Sequence, residues 1–395
     1  MHLTELKIDQ FRCHAGVRMT IPDAGVRIVG PNGSGKTSVL EAIAMLATTR
    51  SFRGAQDRDV VRWESGEDYG VTPFARIEAR VASRGEQRRL GITMELADDA
   101  ESIASKRFLV DDRPTSAHEL VGNLMVVAFT PEDVQLVIGP PADRRRALDI
   151  LISQFDRAYM RHLSAYGRVL RQRNGLLKAF ARDRVRADAP AAITQLAFWD
   201  EQLVGEGAYL VARRARVVAA LSKAIDRHAS DLSSRSRFGV TYQSRVRVDP
   251  DLLATEPTLE IGVARAAAAF HADLEAHRED EFRRGMSLTG PHRDDLVFSI
   301  DDRSLARFGS RGQQRLGVLA LKLAEADVIA EESGDTPVFL LDDVLSELDT
   351  AHRRLLLDEL TARHAQVVLT SAEDDALDHP SLDALAVYRT GAEAS

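Results

Sequence analysis

Gly30-Pro31-Asn32-Gly33-Ser34-Gly35-Lys36-Thr37 fits the pattern G-x-x-x-x-G-K-[S/T] at every fixed position. It follows the short apolar run Val26–Val29, and a helical pattern runs on from Ser38 to Leu46. Strand, glycine-rich loop and helix in that order put backbone N–H groups and a helix N-terminus around an anion. The glycines leave room for phosphate oxygens where a Cβ would obstruct them. In this pattern Lys36 supplies a point charge for the β and γ phosphates, and Thr37 a hydroxyl for Mg²⁺. Gly30 to Ser38 is therefore the expected nucleotide-binding segment. The motif says that a nucleotide binds, not what the nucleotide is for.

A matching acidic strand lies near the other end of the chain. Val338-Phe339-Leu340-Leu341-Asp342-Asp343 is an apolar run that ends in two carboxylates, as a buried parallel strand does when it serves a Mg²⁺ site. Asp342 is the expected metal ligand, directly or through water. Asp343 is placed to orient or deprotonate the attacking water. Lys36 and Asp342 are 306 positions apart, so the chain leaves the nucleotide fold and comes back to it.

The 395 residues suit two or three domains, and an apolar content of 44% is ordinary for a globular protein. Cys13, the single cysteine, excludes an internal disulfide framework and suits a reducing cytoplasm. No basic-then-apolar leader opens the chain, and no apolar run approaches the roughly 18–20 residues of a membrane span. The net charge is −8, but it is unevenly spread. Arg144 to Arg186 holds 12 Arg/Lys and 3 Asp, a net of +9, whereas Glu325 to Ser395 holds 17 acids and 4 bases, a net of −13. The basic middle reads either as a surface for a polyanion or as a solvated helix face.

Residues 3–11, 26–29, 75–83, 88–96, 106–111 and 124–129 read as strands, and several alternate as antiparallel strands do. A polar loop is expected over 98–105 and a frayed end over 391–395. Thr130-Pro131-Glu132-Asp133 resembles a capped helix start. Tyr159, Leu163, Tyr166, Leu170, Leu177 and Phe180 form an apolar stripe at helical spacing, interrupted at Arg173. A second stripe runs from Leu196 to Ile225, so the two predict a stubby helical hairpin. Strands follow near 238–246, 296–300, 338–341 and 366–370, with helices over 259–284 and 311–332. The expected class is α/β, with mixed parallel and antiparallel sheets and an inserted helical arm.

Phe308-Gly309-Ser310-Arg311-Gly312-Gln313 precedes the last of these helices. It resembles the signature segment of ABC-type ATPases, in which a Ser hydroxyl and a Gly N–H meet a γ-phosphate held by a second subunit. The same residues also fit a plain N-cap, Ser310 with Gln313 as a capping box. Ser346-Glu347-Leu348-Asp349 resembles the D-loop that follows the acidic strand.

Four motifs in this order, with Phe11-Arg12, Arg50-Ser51-Phe52-Arg53, Val61-Arg62-Trp63, Gly139-Pro140-Pro141 and Thr289-Gly290-Pro291-His292-Arg293-Asp294-Asp295, resemble the RecF family of SMC-like ATPases along nearly the whole chain. Two positions depart from the pattern: Phe52 replaces an expected histidine, and Ser371 stands where transporter ATPases carry a switch histidine.

The resemblance implies an ABC/SMC-like P-loop ATPase head, over 1–130 and 285–395, with a helical arm inserted over 131–284. It implies ATP and Mg²⁺ as cofactors and an ATP-dependent homodimer that clamps double-stranded DNA near single-strand junctions. It also implies RecR as a partner, in the RecO and RecA pathway of recombinational repair, without a membrane. Asp343, Lys36 and Ser310 would be catalytic. Gly30, Pro31, Asn32, Gly33, Ser34, Gly35, Lys36, Thr37, Ser38 and Arg12 would hold the nucleotide from one side, and Ser310, Gly312 and Asp349 from the other. Thr37 and Asp342 would hold the metal. His292 reads as a structural hydrogen-bond partner, and Arg144–Arg186 as the DNA-facing stretch. An ATPase subunit coupled to a transporter is the alternative reading.

Overall fold

The structure is a computed structural model that describes residues 1–66, 70–97, 102–232, 236–371 and 379–390. By compactness the chain divides into two units, Met1–Asp133 with Glu325–Ser395, and Val134–Ala324.

The first unit opens with β1 (His2–Phe11), β2 (His14–Thr20), β3 (Gly25–Val29), β4 (Phe74–Ser83), β5 (Glu86–Leu96), β6 (Ile103–Val110), β7 (Arg113–Thr115) and β8 (Val126–Phe129). The second unit carries β9 (Phe238–Gln243), β10 (Asp295–Ile300) and β11 (Arg303–Ser304). The chain then returns to the first with β12 (Val338–Asp342), β13 (Val367–Ser371) and β14 (Ala386–Arg389).

Two sheets build the first unit. One is antiparallel in the order β2-β1-β4-β5-β6-β7, and the other is parallel in the order β14-β3-β13-β12-β8. The helix Lys36–Thr48 touches strands of both sheets and is buried almost all round, from Val39 to Ala47. That explains its run of Val, Leu, Ile, Met and Ala: a helix between two layers has no solvent face to make polar. Its burial also fixes its N-terminus, and with it the loop that follows β3. The core joins Leu6, Ile8, Ile28, Leu40, Ile43, Ile77, Ile92 and Leu340.

Tight turns close the antiparallel pairs. Arg84-Gly85 joins β4 to β5, and Asp111-Asp112 joins β6 to β7, all four with positive φ. Positive φ at both turn residues matches the twist of the flanking strands. Asp111 adds a carboxylate acceptor for the Arg89 N–H at 2.9 Å. β2 and β7 are absent from the strands read in the sequence.

In the second unit the helices Arg157–Arg182 and Pro190–Leu232 form the expected hairpin, and the helix Leu259–Arg284 packs against both. The break in the apolar stripe has a structural cause. Arg173 is 2% exposed and bonds to Asp200, Glu281 and Ser287, each at 2.7 Å, so one guanidinium ties all three helices together. Residues 285–324, expected with the head, pack in this unit, where β10 pairs with β9.

Two local readings differ. Thr130 donates its N–H to Asp133 at 2.6 Å, and the turn Pro131–Val134 is 3-10. β6 begins at Ile103, inside the expected polar loop; residues 98–101 of that loop and the tail 391–395 lie outside the described residues.

Candidate nucleotide site

The loop between β3 and the helix Lys36–Thr48 borders a cavity of about 660 Å³. Asn32, Gly33, Gly35, Lys36, Thr37, Ser38, Arg12, Asp342, Asp343 and Thr370 all line it. Gly30, Pro31 and Ser34 are not among the lining residues. Lys36 Nζ donates to the carbonyls of Gly30 at 2.7 Å and Pro31 at 3.0 Å. Ser34 Oγ lies 2.6 Å from Thr390 Oγ1, which anchors the loop beside β14.

Two glycines are required by contact. A Cβ at Gly30 would sit 2.3 Å from Thr390 Oγ1, and one at Gly35, where φ is +90°, 2.4 Å from Cys13 Sγ. The loop thus runs without side chains at Gly30, Gly33 and Gly35 into the N-terminus of the helix, a setting suited to phosphate.

The acidic strand arrives as its sequence suggests. β12 lies beside β13, with Asp342 paired to Thr370. Thr37 Oγ1 donates to Asp342 Oδ1 at 2.9 Å, and Thr370 Oγ1 donates to the same oxygen at 2.8 Å. Burial pushes the Asp342 carboxyl above the usual carboxylate range, and the bonds from Thr370 and Thr37 pull it back. Asp343 is exposed and left-handed (φ 53°), and donates its N–H to Thr370 Oγ1 at 3.0 Å. Thr370 thus holds both acids in place. Among the described residues no group of three His, Cys, Asp or Glu side chains could hold a metal by itself. Thr37 and Asp342 suit Mg²⁺ shared with phosphate oxygens, the usual arrangement for this ion.

Arg12 lines the cavity with its guanidinium already held. Nε and Nη2 meet the two oxygens of Glu41 at 2.9 and 2.7 Å, and Nη1 meets the Asp59 carbonyl at 2.8 Å. Three of its five N–H donors are thus committed, which leaves two for a ligand. Glu41 is fully buried and also accepts from Ser51.

Ser310, Gly312 and Asp349 do not line the cavity. Ser310 and Gly312 belong to the second unit, at the exposed start of the helix Arg311–Ser333. There Ser310 N–H donates to Gln313 Oε1 at 2.9 Å and Gln313 N–H to Ser310 Oγ at 3.3 Å, a reciprocal capping box. Asp349 caps the helix Thr350–Ala362 through the His352 N–H at 3.0 Å. Ser371 accepts from Arg27 (Nε to Oγ 3.3 Å).

Residues 2–391 match the family described as RecF/RecN/SMC N terminal domain. A DNA replication and repair protein RecF from Thermomicrobium roseum is 44% identical over 392 residues, 98% of each chain. The chain belongs to the RecF family. A second RecF-family relative, from Chloroflexus aggregans, is 42% identical over 98% of this chain and 97% of its own. A solved structure of the recombination mediator protein RecF with ATP, in the RecFOR pathway, covers 95% of this chain and 93% of its own. Its TM-score is 0.81 at 25% identity. The ABC/SMC-like ATPase fold, with mixed sheets and helices, is the family's fold.

Sequence reasoning missed the work of Thr370, Glu41 and Thr390 in this RecF-family site. A threonine level with an acid on the neighbouring strand signals the first only once the pairing is known. The buried glutamate in an otherwise apolar helix was the legible sign of a fixed cation near the loop.

Proposed function

We propose that the chain binds ATP with Mg²⁺, hydrolyses it slowly, and uses the ATP-bound state to pair two copies around double-stranded DNA in recombinational repair. The observation that carries this reading is the convergence of Lys36, Thr37, Asp342 and Asp343 on one cavity behind a glycine cradle. The repair role rests on the RecF-family relatives and on the mediator structure with ATP.

In this reading Lys36 turns from the loop carbonyls to the β and γ phosphates. Thr37 and Asp342 hold the metal, which screens the developing phosphate charge. Asp343 orients the attacking water and takes its proton. Arg12 offers its two remaining N–H groups. Ser310 and Gly312 cap the γ-phosphate held by a second copy, and Asp349 couples the two sites. The capping box favours this use, because Ser310 Oγ accepts from Gln313 and keeps its own O–H to give.

The head is then functional rather than compact, 1–130 with 285–395, and the arm is 131–284. DNA meets the arm through an exposed face of the helix Arg157–Arg182 that carries Arg157, Arg161, Arg168, Arg171 and Lys178. Phosphate contacts of this kind tolerate any sequence and weaken with salt. RecR is the partner, single-strand/double-strand junctions near gaps are the target, and RecA loading is the outcome. The cytoplasm is the compartment this implies, and no helix among the described residues is long and apolar enough to cross a membrane. A transporter-coupled ATPase fits less well, because the family match runs through the whole chain.

Sedimentation with and without ATP–Mg²⁺ tests the reading. Wild type should shift from monomer to dimer, and Ser310→Arg should stay monomeric while still binding ATP. A wild type that encloses ATP as a lone protomer, or an Ser310→Arg variant that dimerises normally, would defeat the shared-site mechanism.

A further inference from the structure

We propose that Trp63 is the platform on which the base of the bound nucleotide stacks; this rests on the nucleotide reading of the cavity. Trp63 is 98% exposed, yet it lines the same cavity as Lys36, Thr37 and Asp342. An indole left wholly in water is an unspent apolar surface, and beside a phosphate cradle it has an evident occupant.

The exposure comes from a fixed backbone. Arg12 N–H donates to Val60 O at 2.7 Å, Arg62 N–H to Gln10 O at 3.0 Å, and Ser65 N–H to Arg62 O at 3.0 Å. Phe11 and Val61 form a β-bridge, and Val61 is buried. Arg62, just before Trp63, is therefore pinned to the end of β1, and Ser65 closes a turn back onto Arg62 and bonds to Phe74 through its hydroxyl, so the ring is held out between two fixed residues.

The rest of that wall offers a base no comparable face. Arg53, Asp59 and Glu64 are charged and exposed, and Arg62 already bonds to Glu64 at 2.8 Å and Gln10 at 3.4 Å. Val61 is tucked into the core. Trp63 is the one large π surface among the residues lining this cavity. Phosphates enter at the loop, and the base lies away from them, toward the rim. Stacking on an indole reads ring area rather than donor pattern, so it favours purine over pyrimidine and separates ATP from GTP poorly.

Titration calorimetry with Mg²⁺ present tests this, with ATP, GTP, CTP and inorganic tripolyphosphate as probes. Wild type should bind ATP and GTP alike, and both more tightly than CTP or tripolyphosphate. Trp63→Ala should lose roughly tenfold in ATP affinity and keep its tripolyphosphate affinity. Trp63→Phe should recover much of the loss. The side chain is fully exposed, so neither variant sacrifices packing. Unchanged ATP affinity in Trp63→Ala, or an equal loss for tripolyphosphate, overturns the stacking role alone. Failure of wild type to bind ATP at all overturns the nucleotide reading and the inference with it.

Discussion

Thr37 and Asp342 stand 305 positions apart in the chain and meet in a hydrogen bond of 2.9 Å. The bond joins the start of the helix Lys36–Thr48 to the end of β12, and Thr370 on β13 joins the same carboxylate oxygen. Three segments from two ends of the sequence thus set the position of one oxygen atom. A site assembled this way responds to substitution in ways that separate its members.

Asp342→Asn keeps an oxygen for both hydroxyls but removes the charge that a cation needs. Hydrolysis should fall about 100-fold or more and Mg²⁺ should cease to strengthen ATP binding, with little change in melting temperature. Thr370→Val preserves the branched shape of the strand and deletes only the hydroxyl. It should cost about 10-fold in turnover, because both acids lose their orienting partner. A steady-state phosphate-release assay with a Mg²⁺ titration checks both. Full activity in Thr370→Val would show that the hydroxyl has no part in placing the acids.

At Asp343 the backbone conformation divides two substitutions. Its φ of 53° is tolerated by Asp and Asn but strained for Ala. Asp343→Asn should therefore keep wild-type stability, slow hydrolysis about 100-fold and accumulate an ATP-bound dimer on DNA. Asp343→Ala should be equally slow and less stable by about 1 kcal/mol. Thermal unfolding beside ATP turnover distinguishes the two effects, and normal turnover in Asp343→Asn would remove Asp343 from the chemistry.

The basic stretch of the arm is two populations of residues. Arg144 holds Asp295 at 2.7 Å, Arg145 holds the Asp294 carbonyl at 2.7 Å, and Arg173 is the buried knot of three helices. Reversal of Arg161, Arg168 and Arg171 to Glu should lower DNA affinity and reduce the salt slope by up to about 3, with ATP affinity retained. Arg173→Ala should instead cost about 3 kcal/mol of stability, because Glu281 is left buried without its partner. DNA titrations at several salt concentrations and urea unfolding read the two outcomes.

His292 gives the second unit a dependence on acid. Its Nδ1 lies 2.6 Å from the Tyr166 hydroxyl, which donates to it, and burial holds the imidazole pKa down to about 4. Arg293, Arg145 and Arg173 press the same way. The unfolded chain takes up this proton near pH 6.5, so between about 4 and 6.5 it binds more protons than the folded chain. Stability therefore rises with pH across that window and is lost on acidification, by up to about 3 kcal/mol. His292→Gln should flatten the melting temperature between pH 7 and 4.5 relative to wild type. Asp294, whose carboxyl burial pushes up, is present in both proteins and drops out of the comparison. Parallel curves for the two would rule His292 out as the source.

Much of this fold could be read because its periodicities are strong. The buried strands ending at Val29 and Asp342 are continuous apolar runs with loop chemistry behind them. The arm helices announce themselves by stripes at 3–4 spacing. What escaped lay in edge strands and tight turns or was set by partners distant in sequence. β2 and β7 are short edge strands, where a weak alternation is completed by a neighbour. Asp111, read as the end of a strand over 106–111, instead forms with Asp112 a two-residue turn in which both have positive φ. Arg173 looked like a fault in a stripe because its three partners lie on other segments. At the site, Lys36, Thr37 and Asp342 were legible from motif chemistry. Thr370 was not, because its role comes from strand register alone.

β3 has no neighbour in the parallel sheet except β13 and β14, which begin at Val367 and Ala386. The ribosome makes the strand that leads into the phosphate loop more than 300 residues before its two flanking strands. At about 5–20 residues per second, the interval is some tens of seconds. During that time the newborn strand lacks both its parallel neighbours, and the loop lacks Asp342 beside it. The phosphate loop is therefore completed only when β12 and β13 have been made, and a chain cut short before β13 would carry an intact motif without the strands and the acid that flank it.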